Sequence, residues 1–381
     1  MKPKATTAMR AQVGPLDPTV MTCLAVILGL GLVLVYSSSA VFAARNYGDA
    51  EHFLKQQVMW LGLGIVAMFV ASRLPGEWLR KRTPLLLGAS ILACVLVLIP
   101  GIGTVAGGAR RWLAVGGLGF QPSEVAKVVA VLMLAAVLAR NEKTGERSRL
   151  WVPVLVAQIP VLLILAQPDL GTALVIELMV LVMVFVAGLR LRYIIGIALA
   201  ALPVFYHLVM GTPFRLQRLL SYIDPWAYRS TTGYQVTEAL ISIGSGGVFG
   251  VGLGEGKQKL FFLPEAHTDF IFAILGEELG LVGIAALLCV FAVLLVRGTQ
   301  IAVGAKDSFD AYLAIGVTAL LGVPLVFNVC VVTGLLPTKG LPLPLVSKGG
   351  SNLVATLAAV GLLLRIARDQ AVPSTRTENK A

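Results

Sequence analysis

The chain is constrained above all by a succession of long apolar segments separated by short polar stretches. A helix needs about 20 mostly apolar residues to cross the hydrocarbon core of a bilayer, and somewhat fewer when polar anchors flank it. By that measure about ten segments predict membrane-spanning helices. They lie near residues 19–37, 58–72, 84–99, 125–139, 151–166, 171–188, 193–209, 270–296, 311–332 and 353–364. We therefore expect an all-α polytopic membrane protein.

The composition excludes an ordinary soluble protein. Of the 381 residues, 57% are hydrophobic and only 13% are charged, against roughly 25% charged in soluble domains. The net charge of +11 could suit a nucleic-acid-binding protein, but such proteins collect their basic residues on one patch. Here the basic residues form short clusters between apolar segments. We interpret them as a sign of membrane topology and expect no nucleic-acid partner.

The basic clusters predict how the chain crosses the membrane, because cytoplasmic loops are enriched in Lys and Arg. With the amino terminus inside, the alternate inside segments hold most of the basic residues. Both termini are then predicted to be cytoplasmic, which requires an even number of spans. The predicted domains are a cytoplasmic tail at 1–18, a membrane domain at 19–366 and a cytoplasmic tail at 367–381.

One long segment, 211–268, is predicted to be a periplasmic loop between the seventh and eighth spans. Long loops escape the bias in basic residues, so its lysines and arginines do not contradict the topology. Its centre, 241–256, is rich in glycine. A re-entrant or closely packed backbone is therefore expected there rather than a free loop.

The strongest signal of chemistry lies at the outer end of the eighth predicted span, where Glu265, His267 and Asp269 are crowded together. An Asp at a helix amino terminus is stabilised as a carboxylate by the helix dipole, and a general base must be a carboxylate. Asp269 is therefore the leading candidate for a catalytic base. The alternative is that Thr268 or Asp269 only caps the helix.

Two carboxylates follow inside the same predicted span, Glu277 and Glu278. A charge at that depth costs about 2.5 to 3.5 kcal/mol unless it is paired or faces water. Both residues are expected to have partners and to support the site. The alternative is packing between helices with one of the acids protonated.

A second cluster contains Arg110 and Arg111, followed by Glu124 and Lys127. Two adjacent guanidinium groups on an outside loop favour an anionic partner such as a pyrophosphate. Glu124 and Lys127 are three residues apart on one helix face and can neutralise each other. That ion pair alone is the alternative explanation for them.

Two further outside loops are predicted to line the same outer cavity. One contains Asp169, for which a turn or helix cap is the alternative role. The other contains Lys339, Ser347 and Lys348 among three prolines, and irregular backbone of this kind survives at membrane depth only against protein or a watery cavity.

Four motifs together resemble the SEDS family (shape, elongation, division and sporulation). The resemblance extends over most of the chain, and the motifs are LPEAHTDFIFAILGEELG at 263–280, GARRWL at 108–113, QPSE at 121–124 and QPDLGTA at 167–173. It implies a polytopic peptidoglycan glycosyltransferase that joins lipid II units into a β-1,4-linked glycan at the outer face of the inner membrane and releases undecaprenyl pyrophosphate. The essential aspartate of the family matches Asp269.

The resemblance also implies roles for other residues and partners. Substrate or pyrophosphate contacts are expected from Arg110, Arg111, Glu124, Lys127, Glu265, His267, Lys339 and Ser347, with Lys348 as a further cation and Asp169, Glu277 and Glu278 in support. The resemblance fixes no cofactor, although a divalent cation, Mg²⁺ or Mn²⁺, is conceivable. The implied partners are a class B penicillin-binding protein, which supplies the transpeptidase, and other divisome proteins.

The stretch 334–347 is more similar to the division-type member of the family than to the elongation-type member, which implies work at the division septum. One position departs from the family pattern, since Lys348 stands where members usually have Tyr. The alternatives are a lipid II flippase, an elongation-type polymerase or a non-catalytic scaffold. The polar clusters on one face and the lack of an internal repeat favour the enzyme over the flippase.

Overall fold

The computed structural model describes residues 14–371 except 107, 116–117, 146–150 and 211–212. Within those residues the chain forms twelve α-helices and three short β-strands. In order they are α1 Pro18–Tyr47, α2 His52–Ala71, α3 Gly76–Leu98, β1 Gly103–Ala106, β2 Ala109–Val115, β3 Leu118–Phe120, α4 Pro122–Lys143, α5 Trp151–Ala166, α6 Leu170–Val186, α7 Leu191–Met210, α8 Pro213–Ile223, α9 Tyr234–Gly246, α10 Ile271–Val303, α11 Ser308–Val332 and α12 Gly350–Ala371.

Each of the predicted spans overlaps a helix, namely α1 to α7 and α10 to α12, although α1, α3, α10 and α12 extend seven to ten residues beyond the predicted bounds at one end. Among the described residues, seven helices are long and apolar enough to cross a membrane: α1, α2, α3, α4, α10, α11 and α12. Helices α5 and α6 are apolar but shorter than these seven. The predicted class, a helical polytopic membrane protein, is confirmed, whereas the count of spans and their orientation stay predictions.

The bundle has a centre and a lipid-facing ring. In an apolar 18-residue stretch of each helix, 78% of the residues are buried in α4 and α12 and 67% in α11, whereas only 22% are buried in α2, α3 and α10. A helix that is apolar on all sides can lie either in a protein core or against lipid. The burial therefore places α4, α11 and α12 in the middle, with their polar ends close to the functional loops.

The three strands form a small antiparallel sheet between α3 and α4, which the expectation of an all-α fold did not include. Val105 pairs with Arg110 and Leu113 pairs with Phe120. Successive side chains of a strand point to opposite faces of the sheet. The sheet therefore separates the side chains of Arg110 and Arg111, which are neighbours in β2.

The predicted long loop contains two helices, α8 and α9, and then a glycine-rich stretch that packs against α10. Helix α10 is interrupted at Gly280, whose φ of 65° and ψ of −163° are not helical. Backbone groups that lose helical partners at this break bond to the glycine-rich stretch instead. The four bonds run from Val251 N to Glu277 O, from Gly252 N to Glu278 O, from Leu281 N to Gly247 O and from Val282 N to Val248 O. The expectation of a closely packed backbone here is confirmed.

Glycine is required where these two segments cross. A Cβ on Gly280 would lie 2.3 Å from the amide nitrogen of Gly250, and a Cβ on Gly250 would lie 2.1 Å from the carbonyl oxygen of Glu278. Both glycines also have a positive φ, which strains other residues.

We expect Gly280→Ala to destabilise the protein by about 2 kcal/mol or more, because the new methyl group forces the segments apart and strains the backbone. The measurement is the apparent melting temperature of the detergent-solubilised protein. Gly88→Ala in α3 is the matched control, since a Cβ there meets no atom within 4 Å. Equal melting temperatures for the two variants would contradict the packing described here.

Candidate active site

Two cavities share a wall that contains Asp269. The helix-side cavity, of about 490 Å³, is lined mainly by α2, α4, α12 and the loop before α12. The loop-side cavity, of about 530 Å³, is lined by the loops before β2, α6 and α12. Five residues line both cavities: Arg111, Asp169, Glu265, Asp269 and Gly340. A substrate in either cavity would therefore contact the same charged wall.

Two irregular segments hold Asp269 in this wall. The buried side chain of Asn328 in α11 donates from Nδ2 to the carbonyl of Asp269 at 2.8 Å and to the carbonyl of Leu341 at 2.7 Å. The Ser347 hydroxyl donates to the carbonyl of Thr268 at 2.6 Å. These bonds fix the segment before α10 against the loop before α12.

Gly340 provides the space that the acid occupies. A Cβ on Gly340 would lie 2.5 Å from Oδ2 of Asp269. The carboxylate is half-buried, and no donor among the described residues forms a hydrogen bond to it. A carboxylate with a purely structural role at this depth would have such a partner. Helix capping by this side chain therefore does not explain Asp269.

The pKa of Asp269 is raised to about 7. Burial is the main cause, because it disfavours the charged form, and the negative charges of Glu265 and Asp169 act in the same direction. Arg111 opposes them. Asp269 can therefore exchange a proton near neutral pH, as a general base or acid does.

Arg111 lies at the junction of the two cavities but is held by neighbouring groups. Its Nη2 donates to the carbonyl of Pro168 at 2.8 Å, its Nε donates to the carbonyl of Gln167 at 3.3 Å, and its Nη1 is 3.9 Å from Oδ1 of Asp169. Asp169 in turn caps α6 by accepting from the amide and the hydroxyl of Thr172. The alternative role given to Asp169, a helix cap, is what the structure shows.

Glu124 and Lys127 line the helix-side cavity as a buried ion pair with 2.8 Å between Oε2 and Nζ. The Nδ2 group of Asn352 donates to the same carboxylate oxygen at 2.7 Å. The expected pairing is confirmed. It does not replace a cavity role, because both side chains face the space beside Asp269.

Glu265 and Lys339 also lie at the site. Glu265 lines both cavities, and its carboxylate accepts a hydrogen bond from the hydroxyl of Thr268 at 2.7 Å. Lys339 lines the loop-side cavity. These placements agree with the expected substrate contacts, whose roles stay predictions.

Three predicted contact residues lie elsewhere. Arg110 lines neither cavity, because the strand turns its side chain to the other face, where Nη1 donates to the carbonyl of Leu98 at 3.5 Å. Ser347 is buried and serves the backbone through its bonds to Thr268 and Leu343. The structure therefore contradicts the expected placement of a twin guanidinium clamp and of a Ser347 contact.

His267 is the third. Its ring stacks on Phe53 with 5.0 Å between centroids and lies 5.8 Å from the ring of Phe42. Burial, together with the nearby Lys348, lowers the pKa of His267 to about 4. His267 lines neither cavity, so the structure does not bring it together with the other expected substrate contacts.

Glu277 and Glu278 have the partners that were predicted, and they lie outside both cavities. Glu277 accepts from the amide of Lys257 at 2.7 Å, and Glu278 accepts from the Lys259 ammonium at 2.7 Å and from the Ser37 hydroxyl at 2.6 Å. They fasten the stretch before α10 to the bundle. Their support of the site is therefore indirect.

Gly340 and Asn352 belong to the loop that was expected to line the outer cavity, and both line the helix-side cavity, whereas sequence reasoning missed Asn328. For Asn328 a signal existed, because it is the only side-chain amide in the apolar segment 311–332, and polar residues in spans usually have a function. No group of three or more His, Cys, Asp and Glu residues that could hold a metal ion occurs in the described part of the chain.

A family model for cell cycle proteins, FTSW_RODA_SPOVE, matches residues 18–372. The chain belongs to this FtsW/RodA/SpoVE family. The predicted SEDS membership is thereby confirmed.

Similar relatives include a probable peptidoglycan glycosyltransferase FtsW from Geobacter sulfurreducens, which is 46% identical over 339 residues and matches over 88% of this chain and 91% of its own length. Stage V sporulation protein E from Bacillus subtilis is 42% identical over 344 residues, covering 90% of this chain and 94% of the relative.

Solved structures of the family share the fold. A chain from a peptidoglycan synthase complex that coordinates polymerization and crosslinking superposes with a TM-score of 0.76 at 34% identity, covering 93% of this chain and 98% of that one. The rod shape determining protein RodA from Thermus thermophilus superposes with a TM-score of 0.69 at 33% identity, covering 94% and 98% of the two chains.

We expect Asp269→Asn to be more thermostable than the wild type at about pH 8, because the folded protein releases the Asp269 proton only near pH 7 whereas the unfolded chain releases it near 3.8. Between those values the folded state binds more protons, so wild-type stability falls as pH rises. The neutral amide removes this loss. The measurement compares the two melting temperatures in detergent, and the difference should be larger at about pH 8 than at about pH 4. A difference independent of pH would contradict the raised pKa.

Proposed function

We propose that this protein is a peptidoglycan glycosyltransferase that polymerises lipid II into β-1,4-linked glycan and releases undecaprenyl pyrophosphate. The observation that carries the proposal is the place of Asp269, an acid with a pKa near neutrality and no hydrogen-bonded partner among the described residues, in a wall shared by two cavities and beside Arg111. The names of the relatives support the reaction class.

Glycosyl transfer to a sugar hydroxyl requires a base that accepts the hydroxyl proton. In the proposed step the 4-hydroxyl oxygen of the acceptor sugar attacks the anomeric carbon of the donor. The bond from that carbon to the diphosphate oxygen breaks, and its electron pair leaves with the diphosphate. The hydroxyl proton passes to the Asp269 carboxylate. An α-linked donor and a β-linked product imply one inverting displacement, so no covalent intermediate with the enzyme is required.

The leaving group needs positive charge, because negative charge grows on the diphosphate as the bond breaks. Arg111 faces both cavities, and Lys127 faces the helix-side cavity. We propose that these side chains stabilise the leaving group, with Lys339 reaching it from the loop side. A divalent cation would enter together with the diphosphate rather than reside in a dedicated cluster of protein ligands.

The two cavities suit a reaction between two large substrates. We propose that one cavity holds the donor and the other the acceptor, so that the hydroxyl and the anomeric carbon meet at the shared wall. Such placement lowers the barrier by bringing the reacting atoms into contact distance. It also explains why Gly340 is needed there, since a side chain would fill the position of the carboxylate.

The polyprenyl tail has an apolar path next to the helix-side cavity. A groove of about 330 Å³ between α2, α3, α4 and α12 is lined almost entirely by apolar side chains, including Trp78 and Val125. Trp60 and Ser351 line both the groove and the helix-side cavity. We propose that the tail lies in this groove while the diphosphate enters the cavity.

The cellular setting follows from the family. The relatives named FtsW support work at the division septum of the inner membrane rather than in elongation. The similar peptidoglycan synthase complex supports an assembly with a crosslinking partner. We propose a class B penicillin-binding protein as that partner, with further divisome proteins acting on the pair.

A lipid II flippase is less well supported. Its charges would have to form a polar path through the bundle, but Glu124 is paired with Lys127 and Glu278 is paired with Lys259. The second pair fastens a loop and lies outside both cavities. These pairs account for Glu124, Lys127 and Glu278 without transport.

We expect Asp269→Ala to lower the rate of lipid II polymerisation by at least about 100-fold, because no carboxylate is then present to take the proton from the 4-hydroxyl of the acceptor sugar. The assay uses the full-length protein purified with its partner, and gel analysis measures the glycan. Lys81→Met, which removes an exposed lysine of α3, is the control for loss of an ionisable group. Normal polymer from a folded Asp269→Ala protein would reject the assignment.

The wild-type rate should rise with pH through about 7, because only the ionised form of Asp269 accepts the proton. The diphosphate diester stays ionised throughout this range, so the substrate does not produce the change. The measurement is kcat/KM for lipid II between about pH 5 and about pH 8. If one base is essential, kcat/KM falls about tenfold for each unit of pH below its pKa. A flat profile would contradict a base with this pKa.

A further inference from the structure

Lys348 differs from the other cations of the cavities. It lines the helix-side cavity, and its ammonium nitrogen lies 3.4 Å from the ring centroid of Phe53 in α2. Among the described residues, no carboxylate forms an ion pair with it and no side chain accepts a hydrogen bond from it. Lys127, by contrast, is paired with Glu124, and Arg111 is bonded to two carbonyls.

The groups around Lys348 leave its charge uncompensated. The negative charge that acts on Lys348 is that of Glu265, which forms no ion pair with it. His267, which stacks on the Phe53 ring, is neutral at pH 7 and supplies no charge. A cation–π contact stabilises an ammonium without neutralising it. The protonated amine is therefore available to an anionic ligand.

The position of Lys348 selects the part of the substrate that would reach it. Lys348 is two residues before the start of α12, and Gly349 and Gly350 line the same cavity without side chains that obstruct it. Trp60, one wall of the apolar groove, also lines this cavity. A lipid whose tail occupies the groove presents its headgroup phosphates at this point.

We propose that Lys348 and Phe53 form an anion subsite of the helix-side cavity, which binds the diphosphate of a lipid-linked substrate. The inference rests on the proposed function and adds a residue with a binding role to it. It also gives a role to the position at which this chain has Lys where the family usually has Tyr. The ammonium contacts a phosphoryl oxygen of the diphosphate that Arg111 also faces, while Asp269 acts at the hydroxyl of the acceptor sugar.

The subsite has a pH dependence of its own. Burial lowers the pKa of Lys348 to about 8, with Glu265 acting against that change. Above that pH the amine is neutral and its attraction for a diphosphate is lost. The other ionisable groups that face the cavity or its aromatic wall are Arg45, His52, Arg111, Glu124, Lys127, Asp169, Glu265, His267 and Asp269.

The test compares Lys348→Met and Lys348→Arg in the full-length protein purified with its partner. Met keeps an unbranched chain one atom shorter, which can still pack on Phe53, but it removes the charge. KM for lipid II and the inhibition constant of undecaprenyl pyrophosphate should therefore each rise about tenfold, the size of one charge-assisted hydrogen bond. The value of kcat should change much less. Arg keeps the charge and should bind nearly as well as the wild type.

The pH profile gives a second readout. In the wild type, KM should rise above about pH 8, as the amine loses its proton. The rise should be absent in Lys348→Arg, whose side chain stays charged, and absent in Lys348→Met, whose KM is high throughout. Lys81→Met should behave as the wild type, because Lys81 is exposed on α3 and lies outside the cavity.

Three outcomes would overturn the inference. The first is an unchanged KM in a folded Lys348→Met, and the second is a rise of KM above about pH 8 that persists in Lys348→Arg. The third is that Lys348→Met weakens inhibition by phosphatidylglycerol as much as inhibition by undecaprenyl pyrophosphate, which would indicate a general affinity for anionic lipid. All three can occur while Asp269→Ala remains inactive, in which case the polymerase assignment stands. Polymer made by Asp269→Ala would instead reject the polymerase mechanism itself.

Discussion

The buried side-chain amide of Asn328 connects the two irregular segments that form the candidate active site. The Nδ2 group of Asn328 donates to the carbonyls of both Asp269 and Leu341, which belong to separate irregular segments. Outside a helix, backbone carbonyls at the edge of a membrane have no helical partner, and an unsatisfied one costs several kcal/mol. A single side chain in α11 removes that cost for both segments. The distance between the acid and the loop that shapes its cavity is therefore set by the core of the bundle.

Buried charges also connect separate segments of the chain. Glu278, Lys259 and the Ser37 hydroxyl bind one another and join α10, the stretch before it and α1. Removing one member of such a buried pair leaves an uncompensated charge, which is strongly destabilising. Charges that serve structure in this protein are paired in this way. Asp269 and Lys348 lack ion-pair partners among the described residues, and this contrast supports the roles proposed for them.

The sequence predicted the helices and the acid well, because both depend on local patterns. The thickness of the bilayer sets the length of apolar sequence that a spanning helix needs. Asp269 lies directly before such an apolar helix. The partners of Glu277 and Glu278 were also predictable in kind, since a carboxylate in a span requires one. Their identity was not, because the amide of Lys257 and the ammonium of Lys259 reach them through a fold that no short pattern records.

The errors concern the directions of side chains in irregular backbone. Arg110 and Arg111 are adjacent in sequence, yet a strand points them to opposite faces, and the strands themselves are too short to show a clear alternation. His267 is two residues from Asp269, but it turns toward Phe53 because the intervening chain is not helical. Nearness in sequence predicts a shared site only when the backbone conformation is known.

Burial acts in opposite directions on the two unpaired groups of the helix-side cavity. It raises the pKa of the Asp269 acid to about 7 and lowers that of the Lys348 amine to about 8, because in each case it disfavours the charged form. Both groups are therefore charged together only in a narrow interval near neutral pH, and each remains close to its neutral form. That interval is also the one in which the proposed base is ionised and the proposed anion subsite is protonated, so both proposed functions require the same pH range.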